Sequence, residues 1–505
     1  MKPILTQKQS FSLDKKTIEL GYLEESQLLD NVGKKIAQFI LEKIKNPFNN
    51  KIVVVAGPGN NGADGIIAYY YLLKYGMAAE LLLCEKNINK KIINTYSLNE
   101  KLISTYSNSY VFKSENYYID SIFGIGLKRD VVGIYKEILT KMNVLENVIS
   151  IDMPSGIYCD SGLSSSISIS AKITLIIGYY KLGHFFNDGL EKANDKHLLN
   201  VGFPENIKHK DPISLIEKKD LLNLFPKHNK NVHKYKRGKL IVVAGSLGYS
   251  GACVLSTLSA LSVGPGIIKV IAPLSMKNYY ENNLIEPIVK YFEDDGMGKY
   301  RMSSIDEIIE EISWSDSILF GPGLSMDKED ILFKDRILKS INKPLILDAS
   351  GFQSIIAGET RIENLPLKSI LTPHYSEFSK IFNINIDKLS ADPIGTIKKV
   401  EEQLSGRGLI LKGPSTIIVD ANKNKYIMGN GSMKLSVAGT GDVLSGICAG
   451  LLAQNISIND TMLYSTMLHA ECAWQFNNRI SNSNLTAYDL IEMLPYAMSE
   501  LNEIS

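Results

Sequence analysis

Two stretches place small residues, glycines and an aspartate at the mouth of a helical pattern. In "VVVAGPGNNGADG", Gly57, Gly59, Gly62 and Gly65 follow the apolar run directly. In "VAGTGDVLSG", Gly439 and Gly441 flank a threonine just ahead of Asp442. Glycine permits a tight reversal and lets backbone N–H groups approach an anion, and a helix N-terminus favours negative charge. Both stretches therefore suit phosphate. A carboxylate beside a phosphoryl group, as Asp442 would be, can accept a proton from an attacking hydroxyl while the amides stabilise the developing charge. The plainer alternative is a structural turn, with Asp442 capping its helix. The first stretch also fails the GxGxxG spacing, and no Lys-Ser/Thr follows it as in a P-loop.

Further candidates stand at the ends of other apolar runs. Asp120 lies in "IDSIFGIGLKRD", and Asp152 and Ser155 lie in "SIDMPSG". Asn61, Asp120 and Ser155 offer oxygen ligands suited to a hard cation, and Asp152 could act as a general acid or base. Singly, each carboxylate reads better as a helix cap. Three strand ends with this chemistry point to a site. Downstream, "LKGPST" places Lys412 and Thr416 just after a strand, as a nucleotide-contacting turn would. "LTPHYSEF" places His374 and Glu377 after another. "FGPGLS" and "VVAGSLGYSGA" supply glycine loops for close backbone approach.

These residues need a scaffold, and the apolar pattern supplies one. "KIVVVAG", "AELLLCE", "YYIDSIFG", "NVISIDMPSG" and "KITLIIG" read as buried strands separated by helices, one of them over residues 63–75. Leu29, Val32, Ile36 and Ile40 recur at helical spacing ahead of the first strand. The pattern restarts at "GKLIVVAGS", with a helix over 251–263 and strands at "IIKVIAP", "SILFGPG", "LILDAS", "SILTPH", "LILKG" and "TIIVD". A glycine turn then runs into a helix over 435–454. Apolar runs alternating with helices predict an α/β chain of parallel sheets covered on both faces. In open sheets of this kind, ligands bind at the carboxyl ends of strands. Polar, Lys- and Asn-rich sequence between 205 and 239 places a domain junction near Lys210, with "LLNLF" entering the second domain as a short element. The two halves carry different motifs, so they are unlike domains, 1–210 and 211–505.

With 505 residues the chain exceeds one ordinary core. Its 45% hydrophobic and 22% charged residues fall in the range of globular proteins. A net charge of +1 gives no bulk field for nucleic acid or an anionic membrane. The five cysteines are scattered, which argues against a disulfide framework or zinc site. No apolar leader or membrane-length run appears, so a cytoplasmic protein is expected.

"GPGNNGADG", "DSIFGIGLKRD" and "SIDMPSG", in this order, resemble the YjeF N-terminal family, the NAD(P)H-hydrate epimerases. The resemblance covers the first domain and implies a Rossmann-like, three-layer fold. It implies that Asn60, Asn61, Gly62, Ala63 and Asp64 bind the substrate's phosphates and ribose. The loop of Gly124, Ile125, Gly126, Leu127, Lys128, Arg129 and Asp130 would share that role. It gives K+ to Asn61, Asp120 and Ser155, makes Asp152 the catalytic acid/base, and lines the pocket with Tyr135. Ala63 departs from the usual glycine, and its methyl group could crowd a phosphate.

From Asp211 onward the motif order resembles the ribokinase-like YjeF C-terminal family, the NAD(P)H-hydrate dehydratases. The resemblance implies that Ala252, Gly323, His374 and Asp442 contact the hydrated nicotinamide nucleotide, with Asp442 catalytic. Lys412, Gly413, Pro414, Ser415, Thr416 and Gly441 would hold ADP or ATP, with Mg2+. Asn430 in "GNGSM" also matches. "DASGF" at Asp348 stands where a second acidic residue is more usual, and "PHYSEF" lacks the glycine usual before the glutamate.

The two resemblances make one chemistry. Reduced nicotinamides can take up water, giving a C6 hydroxyl whose departure as hydroxide is slow. Phosphorylation turns it into a good leaving group, so a kinase-like fold can achieve a net dehydration. The resemblance restricts this to the S epimer of NADHX or NADPHX, and the epimerase would supply S from R. Epimerase followed by dehydratase resembles the bacterial arrangement, which typically uses ADP, whereas eukaryotic dehydratases favour ATP. Related dehydratases often assemble into oligomers. Two alternatives stand beside this reading: a thiazole- or pyrimidine-type kinase with an accessory nucleotide-binding domain, and a first domain that only binds a nucleotide or a partner protein.

Overall fold

Ile52, Val54 and Ala56 face one apolar core while Val53 and Val55 face another, so the strand Ile52–Ala56 is buried on both sides. This is what a continuous apolar run demands of a sheet sandwiched between helices. In the computed structural model that strand is central to a seven-stranded, all-parallel sheet. Its order is Ile103–Thr105, Ala79–Leu83, Ile52–Ala56, Tyr117–Ser121, Val148–Ile151, Ile173–Ile177 and Lys196–Leu199. The model describes every residue except 45–49, 205–210, 222–223, 225–232, 430, 432, 481–483 and 504–505.

The chain reverses its order of strand addition between Ile52–Ala56 and Tyr117–Ser121. That switch point opens a crevice at the carboxyl ends of the two strands, the place where such sheets bind ligands. The helix expected over 63–75 begins three residues earlier, at Asn60, and runs Asn60–Lys74. Helix Glu25–Lys43 buries Val32, Ile36 and Ile40 against the same sheet. Ahead of it, the short strand Lys2–Leu5 pairs in parallel with Tyr180–Lys181, setting Leu5 opposite Lys181. Thr6 and Gln9 then form a capping box that starts helix Gln7–Glu19.

Contacts divide the chain into Lys2–Pro212 and Ile213–Ser505. The junction expected at Lys210 and most of "LLNLF" lie outside the described residues. Among its described residues the second unit has ten strands ordered Ile288–Phe292, Ile267–Pro273, Lys239–Val243, Ser317–Phe320, Leu345–Leu347, Ser369–Leu371, Gly408–Leu411, Thr416–Val419, Lys425–Met428 and Ile213–Leu215. Pairing is parallel from Ile288–Phe292 through Gly408–Leu411. Gly408–Leu411, Thr416–Val419 and Lys425–Met428 then form an antiparallel meander. Among the described residues, no helix is long and apolar enough to cross a membrane.

One helix pair positions the second glycine turn. Helices Ser250–Ser262 and Thr440–Ala453 approach closely through small residues. A Cβ added at Gly446 would lie 2.1 Å from both the Ser256 carbonyl oxygen and Ser259 Oγ, and one at Gly450 would lie 2.6 Å from the Ala260 carbonyl oxygen. Gly446 beside Ser256 and Gly450 beside Ala260 mean that the helices run parallel. Their N-termini therefore lie side by side, Ala252 one turn before Ser256 and Asp442 one turn before Gly446. Gly446→Ala should destabilise this unit by about 1–3 kcal/mol through overpacking. A lowered denaturant midpoint would show it, and an unchanged midpoint would mean that the helices part freely.

Candidate functional site

In the first unit, a cavity of about 860 Å³ opens at the switch point. Asn60, Asn61 and Asp64 line it from the glycine-rich turn, residues 124–130 from the loop after Tyr117–Ser121, Tyr135 from helix Gly133–Met142, and Asp152 from the end of Val148–Ile151. These expected residues are brought together. Gly62 and Ala63 are buried in the turn and are absent from the lining. A Cβ at Gly62 would lie 1.9 Å from the Gly57 carbonyl oxygen, so only glycine closes this turn. Ala63 is 5% exposed and is not among the residues that line the cavity.

Asp152 is held in an uncommon shape. Its φ is 64°, a left-handed conformation that aspartate tolerates better than most residues. The backbone around it explains why the shape persists. Its N–H donates to the Leu175 carbonyl at 2.7 Å, and its carbonyl oxygen lies 2.7 Å from His184 Nε2. His184 Nδ1 accepts the Lys181 N–H at 3.0 Å, so Nε2 carries the proton and donates to Asp152. Burial, and then the nearby Lys181 charge, push the His184 pKa down to about 3, so the ring stays neutral. The Asp152 carboxylate accepts the Ile177 N–H at 3.1 Å and forms an ion pair with the buried Lys181 ammonium.

Asp120 and Ser155 sit behind the cavity wall. Asp120 is fully buried. Its Oδ1 accepts from Ser155 Oγ, and its Oδ2 accepts from Ser150 Oγ at 2.7 Å and the Ser155 N–H at 2.9 Å. Burial raises its pKa against the effect of these hydrogen bonds. No ion pair reaches it among the described residues. Asn61 Nδ2 and Asp64 Oδ1 are buried without a hydrogen-bond partner. Burial first, then the charges of Asp152 and Asp14, raise Asp64 well above the carboxylate range.

In the second unit, Gly439 takes φ 90° at the cap of helix Thr440–Ala453, a shape that favours glycine. Asp442 is therefore the third helical residue, not the cap, and no hydrogen bond reaches its carboxylate among the described residues. Lys412, just past Gly408–Leu411, donates to Asp348 Oδ1 at 2.8 Å. A Cβ at Gly441 would lie 3.2 Å from Lys412 Nζ, so the ammonium stands against the helix mouth. Asp348 is 1% exposed and follows Leu345–Leu347. Burial, reinforced by Asp348 and opposed by Lys412, raises Asp442 to about 7. Burial and the Asp348 charge also raise Glu377, again opposed by Lys412.

The other expected contacts are distributed around this mouth. His374 caps helix Tyr375–Ile381 by accepting the Glu377 N–H at 3.3 Å, and Glu377 accepts the His374 N–H at 2.9 Å. Its imidazole thus has a structural task, and its Nε2 lies 3.5 Å from Glu377 Oε1. Gly323 has φ 63°, and a Cβ there would meet the Ala252 methyl at 2.9 Å, so these two adjoin. Gly413 and Pro414 are exposed, Ser415 is buried, and Thr416 starts its strand. Asn430 lies outside the described residues.

Sequence reading missed Asp14 and Lys181 in the first cavity, the buried His184 that holds the Asp152 backbone, and the Asp348–Lys412 ion pair in the second site. Signals existed. Lys181 and His184 interrupt an apolar stretch, "IIGYYKLGHFF", and Asp14 falls on the inward stripe of Ser10, Leu13 and Thr17.

Residues 240–496, more than half of the chain, match the NAD(P)H-hydrate dehydratase family model. Residues 25–183 match that of the YjeF-related protein N-terminus. The bifunctional NAD(P)H-hydrate repair enzyme Nnr of Dictyoglomus turgidum is 28% identical over 495 residues, covering 94% of each chain. The enzyme of that name from Thermofilum pendens is 26% identical over 503 residues, covering 97% of this chain and 95% of its own. A solved ribokinase-like superfamily protein from Enterococcus faecalis V583 superposes with a TM-score of 0.51 at 22% identity, covering 59% of this chain and 100% of its own. That likeness gives the second unit a ribokinase-like fold.

Proposed function

The chain belongs to the NAD(P)H-hydrate dehydratase family, with a YjeF-related domain ahead of it, and from that premise we propose that it restores hydrated NADH and NADPH in two steps. The first domain interconverts the R and S epimers. The second dehydrates the S epimer at the expense of ADP or ATP. The observation that carries this reading is the second helix mouth, where the Lys412 ammonium stands against Gly441 beside the unpartnered Asp442 carboxylate.

Asp442 accepts the proton of the C6 hydroxyl as its oxygen attacks the terminal phosphoryl group. Lys412 and the helix N–H groups meet the charge that spreads over the phosphoryl oxygens. Asp348 orients Lys412 through their 2.8 Å bond. The phosphate then leaves with the C6–O bonding electrons, and loss of the C5 proton restores the ring double bond. Magnesium, bound with the nucleotide, would neutralise phosphate charge.

In the first domain, Asn61, Asp120 and Ser155 would hold potassium. They fit it: the donors are hard oxygens, and Asp120 is a buried carboxylate without a cationic partner among the described residues. The ion would supply the missing positive charge behind the loop that follows Asp120.

Because a proton acceptor must be ionised, kcat/KM for dehydration should rise with pH through about 7, the value to which burial raises Asp442. A rate that falls across that interval would contradict the base assignment. The function itself is tested with pure S epimer, magnesium and either nucleotide. The expected products are NADH or NADPH and one orthophosphate per turnover. A stable phosphorylated product would favour the small-molecule kinase reading.

A further inference from the structure

We propose that Asp14 is the second acid–base group of the epimer-exchange cavity, working with Asp152; this rests on the epimerase reading of the first domain. The pairing of Leu5 with Lys181 brings the N-terminal strand to the cavity, and the Thr6 cap turns the chain into helix Gln7–Glu19. Ser10, Leu13 and Asp14 of that helix line the cavity together with Asp152 and Lys181. No hydrogen bond or ion pair ties the Asp14 carboxyl to another described residue, so it is available to a ligand. Asp152, by contrast, is fixed by the Ile177 N–H and by Lys181.

Exchange at C6 needs a proton at one stage and an acceptor at another. The hydroxyl leaves as water when a carboxylic acid protonates it. The C6–O bond breaks with its electrons on oxygen, and the ring nitrogen's lone pair forms a double bond to C6. Water then adds to the opposite face, its oxygen supplying the new C6–O bond, and the C=N electrons return to nitrogen. The surplus proton goes to a second carboxylate. Nothing is oxidised or reduced. One fixed carboxylate cannot serve both faces of the ring, whereas groups on two separate elements can. Burial raises Asp14 to about 6, against the opposing charge of Lys181, so Asp14 can carry the proton, while Asp152 is paired with the Lys181 ammonium. Acidic walls also suit the cationic ring formed midway.

The test uses the full chain with S epimer, no nucleotide, and oxygen-18 water. R epimer formation and label at C6 are followed together. Asp14→Asn should lower kcat for both by about 10²-fold with KM changed by less than about threefold, while dehydration in the same chain is retained. Asp14→Glu, which keeps the acid, should retain at least about a tenth of the unsubstituted rate. Exchange in Asp14→Asn within about threefold of the unsubstituted chain would overturn the assignment. Equal loss in both variants would also overturn it, because packing alone produces that result. If the unsubstituted chain exchanges neither epimer nor oxygen, the epimerase reading falls and Asp14 falls with it.

Discussion

Asp442→Asn is expected to lower nucleotide-dependent dehydration on the order of 10²–10⁴-fold and to leave epimer exchange unchanged. Asparagine keeps the size and removes the proton acceptor. No hydrogen bond to the Asp442 carboxylate is lost, and the Lys412–Asp348 pair at 2.8 Å stays intact. Stability should therefore hold. Above about pH 7 it should even rise, because burial and the charges of Asp348 and Glu377 disfavour the ionised Asp442. The sign follows from linkage: a carboxylate whose pKa is raised on folding costs stability as pH climbs through that value. Steady-state assays on S epimer, paired with thermal melts at two pH values, read both effects. Dehydration at the unsubstituted rate would remove Asp442 from the chemistry.

Asp152→Asn should lower epimer exchange by a similar factor, about 10²–10⁴-fold. Here stability should fall too. The substitution leaves the Lys181 ammonium, 3% exposed, without its carboxylate, and an uncompensated buried charge typically costs about 3–5 kcal/mol. The two effects separate in the double variant Asp152→Asn with Lys181→Met. That variant should recover most of the melting midpoint and none of the exchange. Dehydration of pure S epimer serves as the internal control for the second domain. Unchanged exchange in Asp152→Asn, with the first domain folded, would rule out its catalytic role.

Many of the expected site residues were legible because they stand just past an apolar run. Buried parallel strands announce themselves by such runs, and their carboxyl ends are where ligands bind. Asn60, Asp152, His374 and Lys412 satisfy that rule, whereas Asp442 was marked by its own glycine turn at the mouth of helix Thr440–Ala453. Asp14 breaks it, since it sits within a helix and reaches the cavity through the pairing of Lys2–Leu5 with a strand far along the chain. Lys181 and His184 were hidden for a related reason: their partner is the left-handed Asp152, and no local pattern reports a pairing across 29 residues. Some strands were missed as well. Ile288–Phe292 lies at a sheet edge with alternating exposure and a lysine within it, and Lys425–Met428 owes its pairing to the meander rather than to an apolar run. Asp442 was open to a cap reading from sequence. Only the left-handed Gly439 shows that the cap lies three residues earlier.

The most direct test is the return of reduced-nicotinamide absorbance from a mixed-epimer hydrate, with the full chain, magnesium and either ADP or ATP. Rapid return of all the absorbance, with the faster nucleotide identifying the phosphoryl donor, is the predicted result. A burst that stops once S is consumed and then creeps at the spontaneous rate would contradict the epimerase half. No return with either nucleotide would contradict the repair function as a whole.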